Sequence, residues 1–515
     1  MSILQISGLT HIFDSKTLFR EAELSINNGE HCGIVGLNGA GKTTFMNIIA
    51  GKVVQDEGEI KWLNGIRWGY LDQHANIDRS LTVMEYLKTA FSHLFELNEK
   101  LESLYLQMGE TSDMEELDKM IAKSASMQER LDKSGFYDIE SSIKKVANGL
   151  GVGNFGYDTI ISKLSGGQRA KLMLSKLLLS DLDVMLLDEP TNFLDIEHID
   201  WLTKFLTTFK GSFLLVSHDT EFLNNTCNLI INIENQTIKR YSGNYKQFMA
   251  QYEQNAKQYA EAFERQQREI KKMQDYIDRN KARAATAGMA NSRKKMLDRI
   301  EVMSKPVTNV PAHFDFPYTL VCTKDLLVVK DLEVGYEGKA ILPPINLHLS
   351  SESKVWIRGT NGLGKSTLIK TLMNQLRKIG GKFAFNVNTK INYIEQDLDF
   401  RNNTITPIQY MNEQHPRLSQ KDIRNELAKV GIKNDLATKS ICNMSGGEQV
   451  KVKLCSLMQK PSNILIMDEP TNHLDVTAKE ALKEALVKYE GAILLVSHEP
   501  TFAGEICNEI FDIEF

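Results

Sequence analysis

No apolar run in this 515-residue chain approaches the ~20 residues that a membrane-spanning helix needs. The first residues alternate like a strand and lack a basic stretch followed by an apolar one, so a secretory leader is not expected. Cysteine is sparse and scattered: Cys32, Cys227, Cys322, Cys442, Cys455 and Cys507 form no CxxC pair, which argues against a zinc cluster and a disulfide framework. Strong charge of either sign is also missing. At a net charge of −5, contact with nucleic acid has to come from local patches rather than from the chain as a whole. The length is too great for one ordinary core and suits two or more domains. A cytoplasmic protein with no membrane domain of its own is expected.

Proline is absent between Pro190 and Pro306, and within that gap lies a long helical pattern. Phe248, Tyr252, Ala256, Tyr259, Phe263, Ile270, Met273 and Ile277 recur mostly three or four apart, which places them on one helix face. The pattern lapses from Ala284 to Gly288 and resumes at Met296, Ile300 and Met303, predicting a turn near Gly288 and a second, antiparallel helix. Around that turn, Arg279, Lys281, Arg283, Arg293, Lys294, Lys295 and Arg299 face Asp298 alone. A solvated coiled-coil spacer is the plain reading of a charge run. A probe for phosphate-rich nucleic acid, however, gains affinity from cations that displace condensed counterions, which makes Lys281, Arg283, Arg293, Lys294 and Lys295 the candidate RNA contacts.

Ahead of this connector, the apolar run His31 to Val35 predicts a buried strand. It leads into Gly36-Leu37-Asn38-Gly39-Ala40-Gly41-Lys42-Thr43-Thr44 and then an apolar-periodic helix. In this loop, G-x-x-x-x-G-K-T, glycines let backbone N–H groups turn inward around a phosphate. Lys42 reaches the terminal phosphates and Thr43 supplies a ligand for Mg2+. Phe13 is a candidate to stack on the base. A second apolar run from Val184 ends in Asp188-Glu189-Pro190, delivering one carboxylate for Mg2+ and one to orient and deprotonate water. Leu164-Ser165-Gly166-Gly167-Gln168 stands upstream and Val216-Ser217-His218 downstream.

The whole series then recurs. Gly359-Thr360-Asn361-Gly362-Leu363-Gly364-Lys365-Ser366-Thr367 is followed by Gln396, Met444-Ser445-Gly446-Gly447-Glu448, Asp468-Glu469-Pro470, Asp475 and His498, with Tyr336 ahead of it. The serine-to-glutamate spacing is 24 in both copies and the glutamate-to-histidine spacing is 29 in both, the mark of an internal duplication. The loop lysine lies 123 residues before the serine in the first copy and 80 in the second. The excess is expected at 88–135, where Leu94, Leu97, Leu101 and Leu104 keep helical spacing, Gly109 to Ser112 breaks it, and Met114 to Leu131 resumes it.

Taken in order, these motifs closely resemble the ATP-binding cassette. The resemblance implies an α/β fold with two P-loop cassettes, at 1–240 and 321–515, joined by a helical hairpin at 241–320, with a helical arm at 88–135. It implies that Gln73 and Gln396 sense Mg2+ and water, that Ser165 to Gln168 and Ser445 to Glu448 bind ATP, that Asp195 and Asp475 couple opposite sites, and that His218 and His498 contact the γ-phosphate. Two cassettes, an arm and a helical linker without a transmembrane segment resemble the ABC-F family of ribosome-associated ATPases. That likeness implies head-to-tail closure over two ATP molecules, Lys42 and Glu189 working with Ser445, and Lys365 and Glu469 with Ser165. It also implies a monomer whose linker contacts large-subunit rRNA and peptidyl-site tRNA. Phe193 stands where the second copy has His473, and Met444 where the family has leucine. Two other readings share the motifs: a ribosomal protection ATPase conferring antibiotic resistance, which the short tip Ala284 to Ala290 disfavours, and the motor of a membrane transporter, in which a basic hairpin would have no task.

Overall fold

The computed structural model describes the chain except residues 1, 14–15, 38, 72–76, 111–112, 193, 281–286, 301–311, 322, 337, 360–362, 397, 399, 401–403, 434, 473 and 514–515. In the first cassette, the strand His31–Val35 lies at the middle of a six-stranded sheet. The order is Trp68–Leu71, Val184–Asp188, Ser212–Val216, His31–Val35, Leu229–Glu234 and Thr237–Ser242. The first five strands are parallel and the last is an antiparallel edge. Every residue of Val184–Asp188 and Ser212–Val216 is buried, as expected of parallel strands covered on both faces. A three-stranded antiparallel sheet, Lys16–Asn27, Ser2–Phe13 and Glu57–Trp62, packs across it.

The second cassette repeats this plan. Ile391–Ile394, Ile464–Asp468, Ala492–Val496, Lys354–Arg358 and Glu509–Asp512 form a parallel sheet, and Ile345–Ser350, Asp325–Glu333 and Gly380–Phe385 form its antiparallel companion. Both sheets therefore deliver the Asp-Glu pair at the carboxyl end of the second strand in the order, two strands from the one that leads into the loop of the first helix. This is where open α/β sheets place ligands.

Between the motifs of the first cassette, Ser92–Glu110 and Met114–Lys133 form two packed helices. Leu94, Leu101, Leu104 and Leu131 bury their side chains there. Gly109, expected to break the first of these helices, is inside it, because a single glycine costs a helix only about 1 kcal/mol.

The connector begins with a 36-residue helix, Tyr245–Asn280. Its root is set in the first cassette: Phe248 is buried in that core, 5.0 Å from the Tyr241 ring, and the Tyr252 hydroxyl donates to Glu234 at 2.9 Å. A fully buried phenylalanine of this kind contributes about 3 kcal/mol. The second connector helix is Ala287–Leu297. The turn expected near Gly288 is thus displaced, since Gly288 is helical. Ala287 and Met289 on either side, with Ala290 next, restore the propensity that glycine lowers. Residues 281–286, with Lys281, Arg283 and the start of the tip, lie outside the described residues. The second helix ends at Leu297, with turns continuing to Ile300, and Met296 is exposed rather than packed. The apolar stripe of the first helix is covered near both ends, with Phe248 and Ile277 buried, while Ala256 and Tyr259 are exposed between them. The Arg293 guanidinium lies 3.7 Å from the centre of the Tyr276 ring and helps hold the two helices together.

Candidate active site

Each phosphate loop is built by left-handed glycine. Gly41 at φ 97° and Gly364 at φ 101° precede the helices Lys42–Ile49 and Lys365–Leu372. A side chain at Gly41 would also meet the Phe19 ring at 3.1 Å. The turn leaves the first N–H groups of each helix open, a site for an anion. Both loop lysines are buried and fold back onto loop carbonyls: Lys42 Nζ donates to Gly36 O at 2.8 Å, and Lys365 Nζ to Gly359 O at 2.5 Å. Burial pulls both ammonium groups below their ordinary range, against the pull of nearby carboxylates. Among those carboxylates, Asp475 acts on Lys42 and Asp195 on Lys365, each from the opposite cassette.

The cassettes therefore meet head-to-tail. A cavity of about 290 Å3 is lined by Gly39, Gly41, Lys42, Thr43, Thr44, Glu189 and His218 from the first cassette and by Ser445, Gly446 and Gly447 from the second. Two helix N-termini face into this space, Lys42–Ile49 and Gly446–Met458, so it concentrates positive potential from both sides. Each signature serine caps its helix: Ser165 accepts from Gln168 N, and Ser445 from Glu448 N. Gln168 and Glu448 reach back to the serine N–H groups at 2.9 and 2.8 Å. Both are engaged at the helix start, and Glu448 is not among the residues lining this cavity. A glutamate closes the second capping box as well as the glutamine closes the first.

The glutamates carry a feature that sequence reasoning missed. Glu189 and Glu469 sit at φ 48° and 52°, a left-handed conformation that costs a non-glycine residue about 1–3 kcal/mol. It follows from tertiary fixing on both sides. Glu189 N–H donates to Val216 O at 2.9 Å, and His218 N–H returns to Glu189 Oε2 at 3.3 Å. The second site repeats both bonds, at 3.0 and 3.3 Å. The His218 and His498 rings approach the same carboxylates at 3.4 and 2.8 Å. Burial, then the charge of Asp188, pushes the Glu189 carboxyl up to about 8, while Lys42 draws it down. Burial likewise raises Asp188, and it pushes Asp468 up to about 6.

For Mg2+ the donor set is hard oxygen. Ser366 Oγ donates to Gln396 Oε1 at 3.3 Å and its hydroxyl stabilises the Asp468 charge, while Thr43 does the same for Asp188. Both Asp468 carboxylate oxygens are buried without a hydrogen bond of full geometry, so a small divalent cation fits the place. No cluster of three His, Cys, Asp or Glu side chains that could hold a metal exists among the described residues. Phe13 and Tyr336 are both half exposed at the cassette edges, with the Tyr336 hydroxyl 3.4 Å from Thr367 Oγ1. Gln73, Asn38, Phe193, Thr360, Asn361, Gly362 and His473 lie outside the described residues. Asp195 and Asp475 each hold a lysine of their own cassette, Lys171 at 3.3 Å and Lys451 at 2.6 Å. Burial works to raise Asp475, but Lys451 and its other hydrogen bonds hold it at about 2.

Two doubly layered α/β cassettes, with the first phosphate loop opposed to the second signature helix across a shared cavity, define a tandem ATP-binding cassette ATPase. The family model described as ABC transporter matches residues 19–192 and 342–472, and a second model with that description matches 231–316, from the last sheet strands through the connector. The chain is 40% identical to the Bacillus subtilis protein described as uncharacterized ABC transporter ATP-binding protein YfmM, over 100% of this chain and 99% of that one. It is 31% identical to ABC transporter F family member 5 of Arabidopsis thaliana, over 99% of this chain and 75% of that one. Among solved structures, the archaeal ribosome recycling factor aABCE1, in complex with the ribosomal stalk protein aP1, aligns with a TM-score of 0.59. It is 17% identical, over 98% of this chain and 87% of that one, a likeness of fold. The chain belongs to the ABC-F family, and it hydrolyses ATP. No helix among the described residues is long and apolar enough to cross a membrane.

With the loop lysines placed this way, Lys42→Ala and Lys365→Ala are each expected to weaken nucleotide binding about tenfold or more, because a charge-assisted phosphate contact contributes about 1.5–3 kcal/mol. Titration with a fluorescent ATP analogue checks this. Unchanged affinity in both variants would remove the lysines from the phosphate site.

Proposed function

We propose that the protein is a cytoplasmic translation factor that binds the ribosome in its ATP-closed state, near the tRNA exit site, and leaves after hydrolysis. Its basic connector is the part that meets large-subunit rRNA and peptidyl-site tRNA. The observation that carries this reading is the connector itself, a long helix rooted in the first cassette that leads to the basic pair Lys294 and Lys295. Family membership supports it, as does the fold shared with the archaeal ribosome recycling factor aABCE1.

In this reading ATP enters the cavity between Lys42 and Ser445 and draws the signature helix onto the γ-phosphate. Glu189 and Glu469 take the proton of the attacking water, and His218 and His498 hold the glutamates and the γ-phosphate in register. Thr43 with Asp188, and Ser366 with Gln396 and Asp468, would hold Mg2+, which neutralises phosphate charge. Loss of the γ-phosphate removes the anion that both helix N-termini share, and the cassettes part.

The test is co-sedimentation of the purified protein with ribosomes. Pelleting that needs non-hydrolysable ATP and is lost with ADP is the expected result. Absence of pelleting in every nucleotide state would overturn the proposal.

A further inference from the structure

The two copies are related by an offset of 280 residues: Glu189 matches Glu469, and His218 matches His498. The same offset sets Asp219 against Glu499, an acid directly after each histidine, and Ile199 against Lys479. The symmetry therefore breaks at the last pair. Lys479 Nζ lies 2.6 Å from Glu499 Oε1 in its own cassette and 3.5 Å from the His218 carbonyl in the other. It is largely buried at the wall of a cavity of about 640 Å3 between the cassettes, which His218, Asp219, His498 and Glu499 also line. One ammonium thus touches both histidine loops, and an isoleucine holds the matching position on the other side.

We propose that Lys479 is a positioning residue which ties the two histidine loops together across the cassette interface and, having no counterpart in the first cassette, makes the two ATP sites unequal. The charges there explain why one bridge is needed. Asp219 and Glu499 approach each other from opposite cassettes, and Glu499 disfavours charge on Asp219. Burial and Glu499 raise the Asp219 carboxyl, and Lys479 lowers it. Lys479 sits between them and relieves the repulsion. Through the His218 carbonyl it holds the residue whose N–H donates to Glu189 Oε2 at 3.3 Å, a tie that Ile199 cannot offer the His498 loop. The remaining charged groups around the cavity are Asp200, Glu221, Glu480, Lys483 and Glu505. Of these, Lys483 is paired with Glu480 and Glu505 at 2.9 and 3.1 Å, which leaves Lys479 to serve the loops.

This inference rests on Glu189 acting as the base at its site. That reading fails by itself if an enzyme lacking both glutamates still turns over ATP, an outcome independent of Lys479. The experiment uses the full chain in two backgrounds: Glu469→Gln, in which Glu189 alone works, and Glu189→Gln, in which Glu469 alone works. In the first, Lys479→Met is expected to lower turnover at neutral pH at least threefold. The loss should fall on kcat rather than on KM for ATP, because the loop that holds the base has lost its tie across the interface. In the second background the loss should be smaller, and Lys479→Arg should restore the first. Lys479→Gln serves if the methionine variant does not fold. Unchanged turnover in the first background, or equal losses in both, would overturn the inference.

Discussion

Replacing Glu189 and Glu469 together by glutamine is expected to abolish ATP turnover while leaving ATP bound and the cassettes closed. General-base catalysis contributes about 10²- to 10⁴-fold, so a phosphate-release assay should fall by at least about a hundredfold. Binding should survive, because glutamine keeps an oxygen to accept from the His218 and His498 N–H groups and removes like charge beside Asp188 and Asp468. The variant should also inhibit translation, held on the ribosome by ATP it cannot cleave. Stability adds an independent check. The Glu189 carboxyl is lifted from 4.5 to about 8 by burial and Asp188, so its neutral form suits the fold. That contribution is complete below pH 4.5 and is lost as pH rises through about 8. Glu189→Gln is therefore expected to gain in melting temperature over the wild type as pH climbs through that window, and to show no gain below it. Near-wild-type phosphate release from the double variant would remove both residues from the base role.

The second large effect concerns the connector. Changing Lys281, Arg283, Lys294 and Lys295 together to glutamate is expected to weaken ribosome binding strongly and to flatten its salt dependence. Each phosphate contact contributes about 0.7–0.9 to the slope of log affinity against log salt, so four lost contacts lower it by about 3. Arg293 is left in place because it packs on Tyr276, and its loss would loosen the hairpin as well as remove a charge. ATP binding should be intact, since the described cavity draws no residue from the connector. Exposed charges on a mere spacer matter by less than about 0.5 kcal/mol. Ribosome pelleting at several potassium concentrations, with ATP saturating, distinguishes the two. Wild-type affinity throughout would make the connector a spacer.

What the sequence made legible was local. A loop that wraps a phosphate with its own N–H groups needs its glycines and lysine in one short run, so residues 36–44 and 359–367 identify themselves. The strand His31–Val35 has the bounds its apolar run predicts, because burial on both faces leaves no other pattern. Features set by distant partners were hidden. The left-handed glutamates depend on bonds to a strand end and to the histidine after it, 27 and 29 residues away, and no residue preference signals them. Gly288 read as a turn because glycine breaks helices on average, yet the neighbouring alanines and the packing against Tyr245–Asn280 prevail. Lys479 could have been found by laying one copy on the other at the fixed offset and asking where the charge differs.

The buried root of the long connector helix makes the first cassette and the connector a single lever. At 1.5 Å per residue, 36 residues reach about 54 Å. A swing of the cassette by about 10° then carries the far end by roughly 9 Å, close to the diameter of a helix. In the proposed function, closure over one small anion is geared up, through a stiff arm with Phe248 near its fulcrum, into travel of about a helix diameter at a neighbouring RNA. Anything that kinks the arm between Phe248 and Ile277, where Ala256 is exposed, would leave the motor running and the stroke lost.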